Sequence, residues 1–256
     1  MRGGPPAQLN EWQRAFCEWS AERLHLSLQE SQDRFRRSCA ALRGGHGGRA
    51  FKLYCELHHD LYQPFVSSNP GEIHLAYQLH APLHFLRMLS YGVPSWPSHL
   101  PELSALFTVA SPLIIDFGCG LAQKSISLAL HLRSLGRAPR LFLADLPTPQ
   151  LEFLRWFCAR LRLPAGFAEC TPSQPVPPLP ACDLCVALEL LEHVHHPLAY
   201  LKAFEQATRS GGFLWTNLED HPEEFLHVSP GLAPLRKHLA ELGWNELRPH
   251  QLYRKG

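Results

Sequence analysis

The stretch Leu113-Ile-Ile-Asp-Phe-Gly-Cys-Gly-Leu-Ala122 joins an apolar run to an acid, Asp116, and then to glycines at 118 and 120. Ala122 stands where a third small residue belongs, and Gln123 to Leu135 has helical character. A strand, a tight turn and a helix N-terminus follow from this pattern. Glycine suits a backbone that must approach a ligand closely, because no Cβ intervenes. A second acid, Asp145, ends the run Leu141-Phe-Leu-Ala-Asp145, 25 positions after Gly120. In nucleotide-binding folds an acid about 20 residues beyond the glycines takes hydrogen bonds from ribose hydroxyls. A third apolar run, Cys182-Asp-Leu-Cys-Val-Ala-Leu, leads straight into Glu189-Leu-Leu-Glu192-His193 and then Pro197.

Alternating strands and helices must position these groups. The spacing predicts strands at 113–117, 140–144, 166–170, 182–188 and 212–217, the last after a Gly211-Gly212 turn. Helices are expected at 122–135, 149–163, 197–208 and 231–242, with Thr148 as the cap before Pro149. Thr171 to Pro180 carries five prolines and is a loop. The alternation predicts an α/β fold: a mostly parallel, doubly wound Rossmann-like sheet with helices on both faces, preceded by an N-terminal helical lid. Ligands of open α/β sheets sit beyond the carboxyl ends of the strands, at the point where strand order reverses. Asp116, Asp145 and Glu189 all fall at such ends.

Together these stretches resemble the S-adenosylmethionine-dependent methyltransferases of the Rossmann-like class. The resemblance rests on D-x-G-C-G at 116–120, the later strand-end Asp145, and D-L-C-V-A-L-E-L-L-E-H-V-H-H-P from Asp183. It covers roughly residues 110–245. A dinucleotide-binding dehydrogenase would want glycine at 123, where Gln stands. The resemblance implies S-adenosyl-L-methionine as cofactor. Gly118, Cys119 and Gly120 would lie against its methionine moiety and ribose, with Asp116 orienting the turn or the cofactor amine. Asp145 would take the ribose hydroxyls, Leu146 would pack on the adenine, and Glu169 would bind the adenine amine. Leu188 and Glu189 would border the methyl-donor end.

Glu189-Leu-Leu-Glu192-His193 also resembles the metal-binding motif of ubiquinone-pathway O-methyltransferases and small-RNA 3′-end methyltransferases. The ligand set would be Glu189, Glu192 and His193, with His221 or His227 as a further ligand. Metal-free methyltransferases carry a similar Glu-His that shapes the loop and caps the next helix, and the metal-free reading is the expectation here. Typical members end in two further strands. Helix 231–242 is followed by residues that fit one strand or a very short hairpin, with Glu224–Ser229 as a candidate extra strand. That abbreviated end and Ala122 motivate an alternative: a non-catalytic, cofactor-binding relative that scaffolds a partner.

Residues 1–110 carry no catalytic motif and are expected to form the helical lid and acceptor region, with 111–256 as the cofactor-binding core. Helices are expected within Leu9–Leu42, Arg49–Tyr62, Ile73–Tyr91 and Leu103–Ala110. Trp12, Phe51, Tyr54, Tyr62, Tyr77 and Phe85 could face an acceptor, although most of them suit a helical core. The acceptor base is sought among His193, His221 and His227, since neutral imidazole accepts a proton near pH 7.

Formal net charge is +1 over 256 residues. This argues against a nucleic-acid partner held by bulk charge; the resemblance implies methyl transfer to a hydroxyl or amine of a small-molecule acceptor, with RNA methylation as a further alternative. No apolar run approaches the ~20 residues of a membrane span. No secretory leader is expected at the N-terminus, so the eight cysteines read as reduced thiols in a cytoplasmic setting. Cys182 and Cys185 are expected on opposite faces of a strand, as core residues.

Overall fold

Strand β1 (Leu113–Phe117) is buried along its whole length, as a central strand covered on both faces must be. It pairs in parallel with β2 (Arg140–Asp145) on one side and β4 (Cys182–Ala187) on the other. The computed structural model describes residues 9–43, 52, 56, 69–90, 100–220 and 226–256. Its seven-stranded sheet has the order β3-β2-β1-β4-β5-β7-β6, with β3 at Ala165–Glu169 and β5 at Thr208–Thr216. The first five strands are parallel; β6 (Asn245–Arg248) and β7 (Leu252–Arg254) add an antiparallel hairpin. The chain therefore completes the two-strand end with a hairpin whose strands are four and three residues long. Leu226 to Ser229 is not a strand, and the rest of the 224–229 candidate lies outside the described residues.

Strand order reverses between β1 and β4. Helices α4 (Leu100–Leu106), α5 (Gln123–Ser134) and α6 (Pro149–Leu161) cover one face, burying Phe107, Leu128, Leu132 and Phe157 beside Ile114, Leu143 and Val186. Helices α7 (Pro197–Ala207) and α8 (Ala233–Glu241) cover the other, burying Leu201, Phe204 and Leu235 beside Ile115, Phe117 and Leu214. The two faces take alternate residues of β1, as its pleat requires.

Two expectations about the sheet are corrected by a single irregularity. The β4–β5 register shifts between Cys182 and Leu184. Cys182 and Cys185 consequently join the same buried cluster instead of opposite ones. Gly211 and Gly212 lie within β5, not before it; Gly211 has φ of 75°. A Cβ at Gly212 would lie 2.9 Å from the Arg209 carbonyl oxygen. All seven described cysteines are buried and free.

The N-terminal segment 9–42, expected as one helical stretch, is two helices. Residues 9–42 divide into α1 (Glu11–Leu24) and α2 (Leu28–Arg43), because His25 takes a left-handed conformation, φ 52°. Each helix starts with a reciprocal cap. Asn10 accepts from the Gln13 N–H at 2.9 Å while Gln13 accepts from the Asn10 N–H at 3.1 Å. Ser27 and Glu30 repeat the exchange at 3.2 and 3.0 Å. Helix α1 lies on α6: Trp12 packs on Phe157 with ring centroids 4.6 Å apart, and Glu18 and Arg23 pair with Arg160 and Glu152. Of α1, α2 and α3 (Pro70–Ser90), only α3 reaches the carboxyl ends of the strands; α1 and α2 buttress it from behind. Phe85 is a core residue against Phe16 and Phe153. The expected helix at 49–62, with Phe51, Tyr54 and Tyr62, lies outside the described residues apart from helical 52 and 56. Among the described residues no helix is long and apolar enough to cross a membrane.

Because α1 docks on the sheet's own helix layer, its cap should contribute to global stability. Asn10→Ala is expected to lower the unfolding free energy by about 1 kcal/mol in a urea titration. A loss below about 0.3 kcal/mol would show that α1 frays independently of the core.

Candidate functional site

Three loops meet where strand order reverses. The glycine turn after β1 is held by the end of β2. The Gly118 and Cys119 N–H groups donate to the Ala144 carbonyl at 2.8 and 3.3 Å, and the Gly120 N–H donates to Asp145 Oδ2 at 2.6 Å. The other oxygen of Asp145 accepts from the Leu146 N–H at 2.7 Å. Gly118, Gly120 and Ala122 all have positive φ, of 66°, 51° and 49°, a conformation open to glycine and costly for most other residues. A Cβ on Gly118 would lie 2.9 Å from Leu190 Cδ1 and would displace that side-chain tip.

This assembly borders a cavity of about 830 Å³, within the roughly 300–1,000 Å³ of small-molecule sites. Gly118, Gly120, Asp145 and Leu146 line one side; Glu189, Leu190, His193 and His227 line another. Helix α3 supplies a third wall with His74, Tyr77, His80, His84, Arg87 and Met88. The first five are spaced by three or four residues, and Met88 follows His84 by four, so they form a one-face helical stripe. It is the signal by which the sequence could have marked α3 as part of the site, and only Tyr77 had been singled out.

Other expected site residues are placed differently. Asp116 is buried and does not line the cavity; its Oδ2 accepts from Ser125 Oγ at 2.6 Å, tying β1 to α5. Cys119 is buried beneath the turn, and Leu188 packs against the core. Glu169 points outward to Arg155, at 3.4 Å. Its neighbour Cys170 lines the cavity instead, since an extended chain sends successive side chains to opposite sides. Thr148 and His196, which precede α6 and α7, make no side-chain cap. His221 lies outside the described residues.

The Glu-x-x-Glu-His stretch separates into two parts. Glu189, at positive φ (51°), accepts from Asn217 Nδ2 at 3.0 Å. Glu192 turns inward and is fully buried, and its backbone carbonyl accepts the Val228 and Ser229 N–H groups, both at 2.9 Å. That fold-back brings His227 to His193, with ring centroids 4.7 Å apart, and Tyr77 packs edge-on against His193 at 5.6 Å. Ligand-capable atoms of Glu192, His193 and His227 lie within 4.8 Å of one another. His193 Nδ1 lies 3.0 Å from the Leu226 carbonyl oxygen. A carbonyl can only accept, so Nδ1 carries the proton and neutral His193 keeps its lone pair on Nε2, 3.8 Å from Glu192 Oε1.

No family profile matches the sequence, and no curated protein matches it. The structure is similar to that of the [4+2]-cyclase SpnF, with a TM-score of 0.51 at 17% identity over 70% of this chain and 74% of that one. TehB from Haemophilus influenzae is similar at 15% identity and a TM-score of 0.49; the match spans 65% of each chain, just under two thirds of TehB. An S-adenosylmethionine-dependent methyltransferase from Aquifex aeolicus is similar at 14% identity and 0.43, over 62% of this chain and 91% of its own. The likeness to SpnF is one of fold: both chains share the α/β Rossmann-like sheet.

The electrostatics of the site give a pH dependence. Burial, with the nearby Asp145 adding to it, raises the Asp116 pKa from 3.8 to about 7, against the opposing Ser125 hydrogen bond and Lys124 charge. Asp145 is also raised, chiefly by burial, against its N–H donors. An acid whose folded pKa is raised favours the folded state while protonated. That contribution is complete below about pH 4 and is lost as pH climbs through 7. Asp116→Asn keeps an acceptor for Ser125 and removes the titration. The ligand-free variant should therefore gain on wild type in melting temperature between pH 5 and pH 8; a constant difference across that range would refute the assignment.

Proposed function

We propose that the protein transfers the methyl group of S-adenosylmethionine to a hydroxyl or amine of a small-molecule acceptor. The observation that carries the reading is the convergence of Gly118, Gly120, Asp145, Leu146 and Glu189 on one cavity at the reversal of strand order. In this reading the glycine turn and Asp145 seat the ribose and methionine end, and Leu146 packs on the adenine. The acceptor lies between Tyr77 and the His193–His227 pair, with its proton taken by one of these imidazoles. In-line displacement at a sulfonium requires donor and acceptor in contact and away from water, which a cavity walled by α3 provides. Seven buried free thiols support a reducing, cytoplasmic setting. The scaffold alternative loses one of its motives, since the C-terminal hairpin is formed. Titration calorimetry should show micromolar binding of S-adenosylmethionine or S-adenosylhomocysteine, weakened about ten- to a hundredfold in Asp145→Ala. Absence of heat with either nucleoside at saturation would exclude the reading.

A divalent ion enters the proposal on a separate observation. One carboxylate and two imidazoles converge through Glu192, His193 and His227, their ligand-capable atoms within 4.8 Å of one another. The mixed N/O set suits Zn²⁺ or Mn²⁺. Such an ion would polarise an acceptor oxygen. It would be held without Glu189, which lies outside the group and accepts from Asn217. Zn²⁺ or Mn²⁺ is expected to raise the melting temperature of the wild type and to leave His227→Ala unmoved. No shift in the wild type would return Glu192 and His193 to the purely structural role that the sequence favoured.

A further inference from the structure

We propose that Arg87 of α3 binds the α-carboxylate of the methyl donor, so that the donor site is shared between the N-terminal helices and the sheet. The inference rests on the methyltransferase reading and names one more contact in that site. The methionine end of the donor bears a sulfonium, an ammonium and a carboxylate. The first two suit the acids that line the cavity, Asp145 and Glu189. The carboxylate needs donors, and four N–H groups of the glycine turn are already bonded within the protein. The Gly118 and Cys119 N–H groups are spent on the Ala144 carbonyl, that of Gly120 on Asp145, and that of Ala122 on the Cys119 carbonyl.

Arg87 is the only arginine or lysine among the described residues that line the cavity. Its position along the cavity is fixed by its neighbour: Met88 abuts the turn, its Cε lying 3.5 Å from where a Cβ on Gly120 would stand. Helix α3 is pinned on both sides of this point. Gln150 Nε2 donates to the Ala81 carbonyl at 3.0 Å, and Gln13 Nε2 donates to the Leu89 carbonyl at 2.8 Å. The helix thus holds the backbone of Arg87 at the cavity wall, one residue from the contact of Met88 with the turn, and a guanidinium pairs with a carboxylate through two parallel N–H donors.

The test compares two probes on the full chain by titration calorimetry. One is S-adenosylhomocysteine. The other is S-adenosyl-3-thiopropylamine, which keeps the amine and lacks only the carboxylate. Wild type should prefer the first by roughly ten- to a hundredfold. Arg87→Gln should lose that preference by weakening S-adenosylhomocysteine alone, and Arg87→Lys should keep part of it. Melting curves of the two variants report whether either has lost its fold, and the wild-type comparison needs no variant. Equal binding of the two probes by wild type would overturn the proposal, as would an Arg87→Gln that weakens both probes alike. Binding of neither probe by wild type would overturn the methyltransferase reading itself, and this proposal with it.

Discussion

The carboxylate of Asp145 is the joint on which the site depends. It accepts the Gly120 N–H with one oxygen and the Leu146 N–H with the other, at 2.6 and 2.7 Å. Beside it, the Ala144 carbonyl takes the N–H groups of Gly118 and Cys119. The end of β2 thereby specifies the shape of the turn that follows β1, and a turn with three positive φ values is kept in one conformation by groups 25 residues away. Burial makes this bonding more consequential. An unpaired carboxylate here would carry a desolvation cost with nothing to offset it, and the nearby Asp116 is already pushed toward the neutral form.

The strand–turn–helix at 113–135, the strand-end acids and the alternation that makes the sheet mostly parallel were legible in the sequence because each follows from a local rule. Apolar runs of five or six residues, glycine where φ is positive, and proline at the first helical position all act over a few residues. What escaped depends on contacts distant in the chain. Glu192 and His227 are 35 residues apart, and only the fold-back of Val228 and Ser229 onto the Glu192 carbonyl brings them together. The break at His25 was different, since two capping boxes, Asn10–Gln13 and Ser27–Glu30, were present in the sequence and mark two helix starts. Cys182 and Cys185 sharing a cluster could not be read in advance, because the strand period of two fails at an irregularity that the partner strand determines.

The N-terminal helices act on the site through α3. Helices α1 and α2 present Trp12, Phe16 and Phe35 to the same aromatic core that receives Phe85, Phe153 and Phe157. They hold the back of α3, whose front carries polar rings into the cavity. One helix therefore has an apolar face that fixes its position and a polar face available to ligands, and Pro82 interrupts neither, since α3 runs unbroken from Pro70 to Ser90. Dividing the chain at residue 110 into an acceptor part and a donor part describes its secondary structure better than its site. Met88 touches the glycine turn, and Gln150 of the sheet's own helix layer holds an α3 carbonyl.

The same hydrogen bonds separate this glycine turn from those that bind phosphate. A pyrophosphate-binding turn works by leaving successive N–H groups and a helix N-terminus open to the anion. Here the N–H groups of residues 118, 119 and 120 are all directed to the end of β2, and the buried Asp116 and half-buried Asp145 stand close behind them. A phosphate would meet carboxylates where these N–H groups are already bonded, while a sulfonium or ammonium would meet carboxylate oxygens. Gln123, where a dinucleotide-binding turn would have its third glycine, agrees with this.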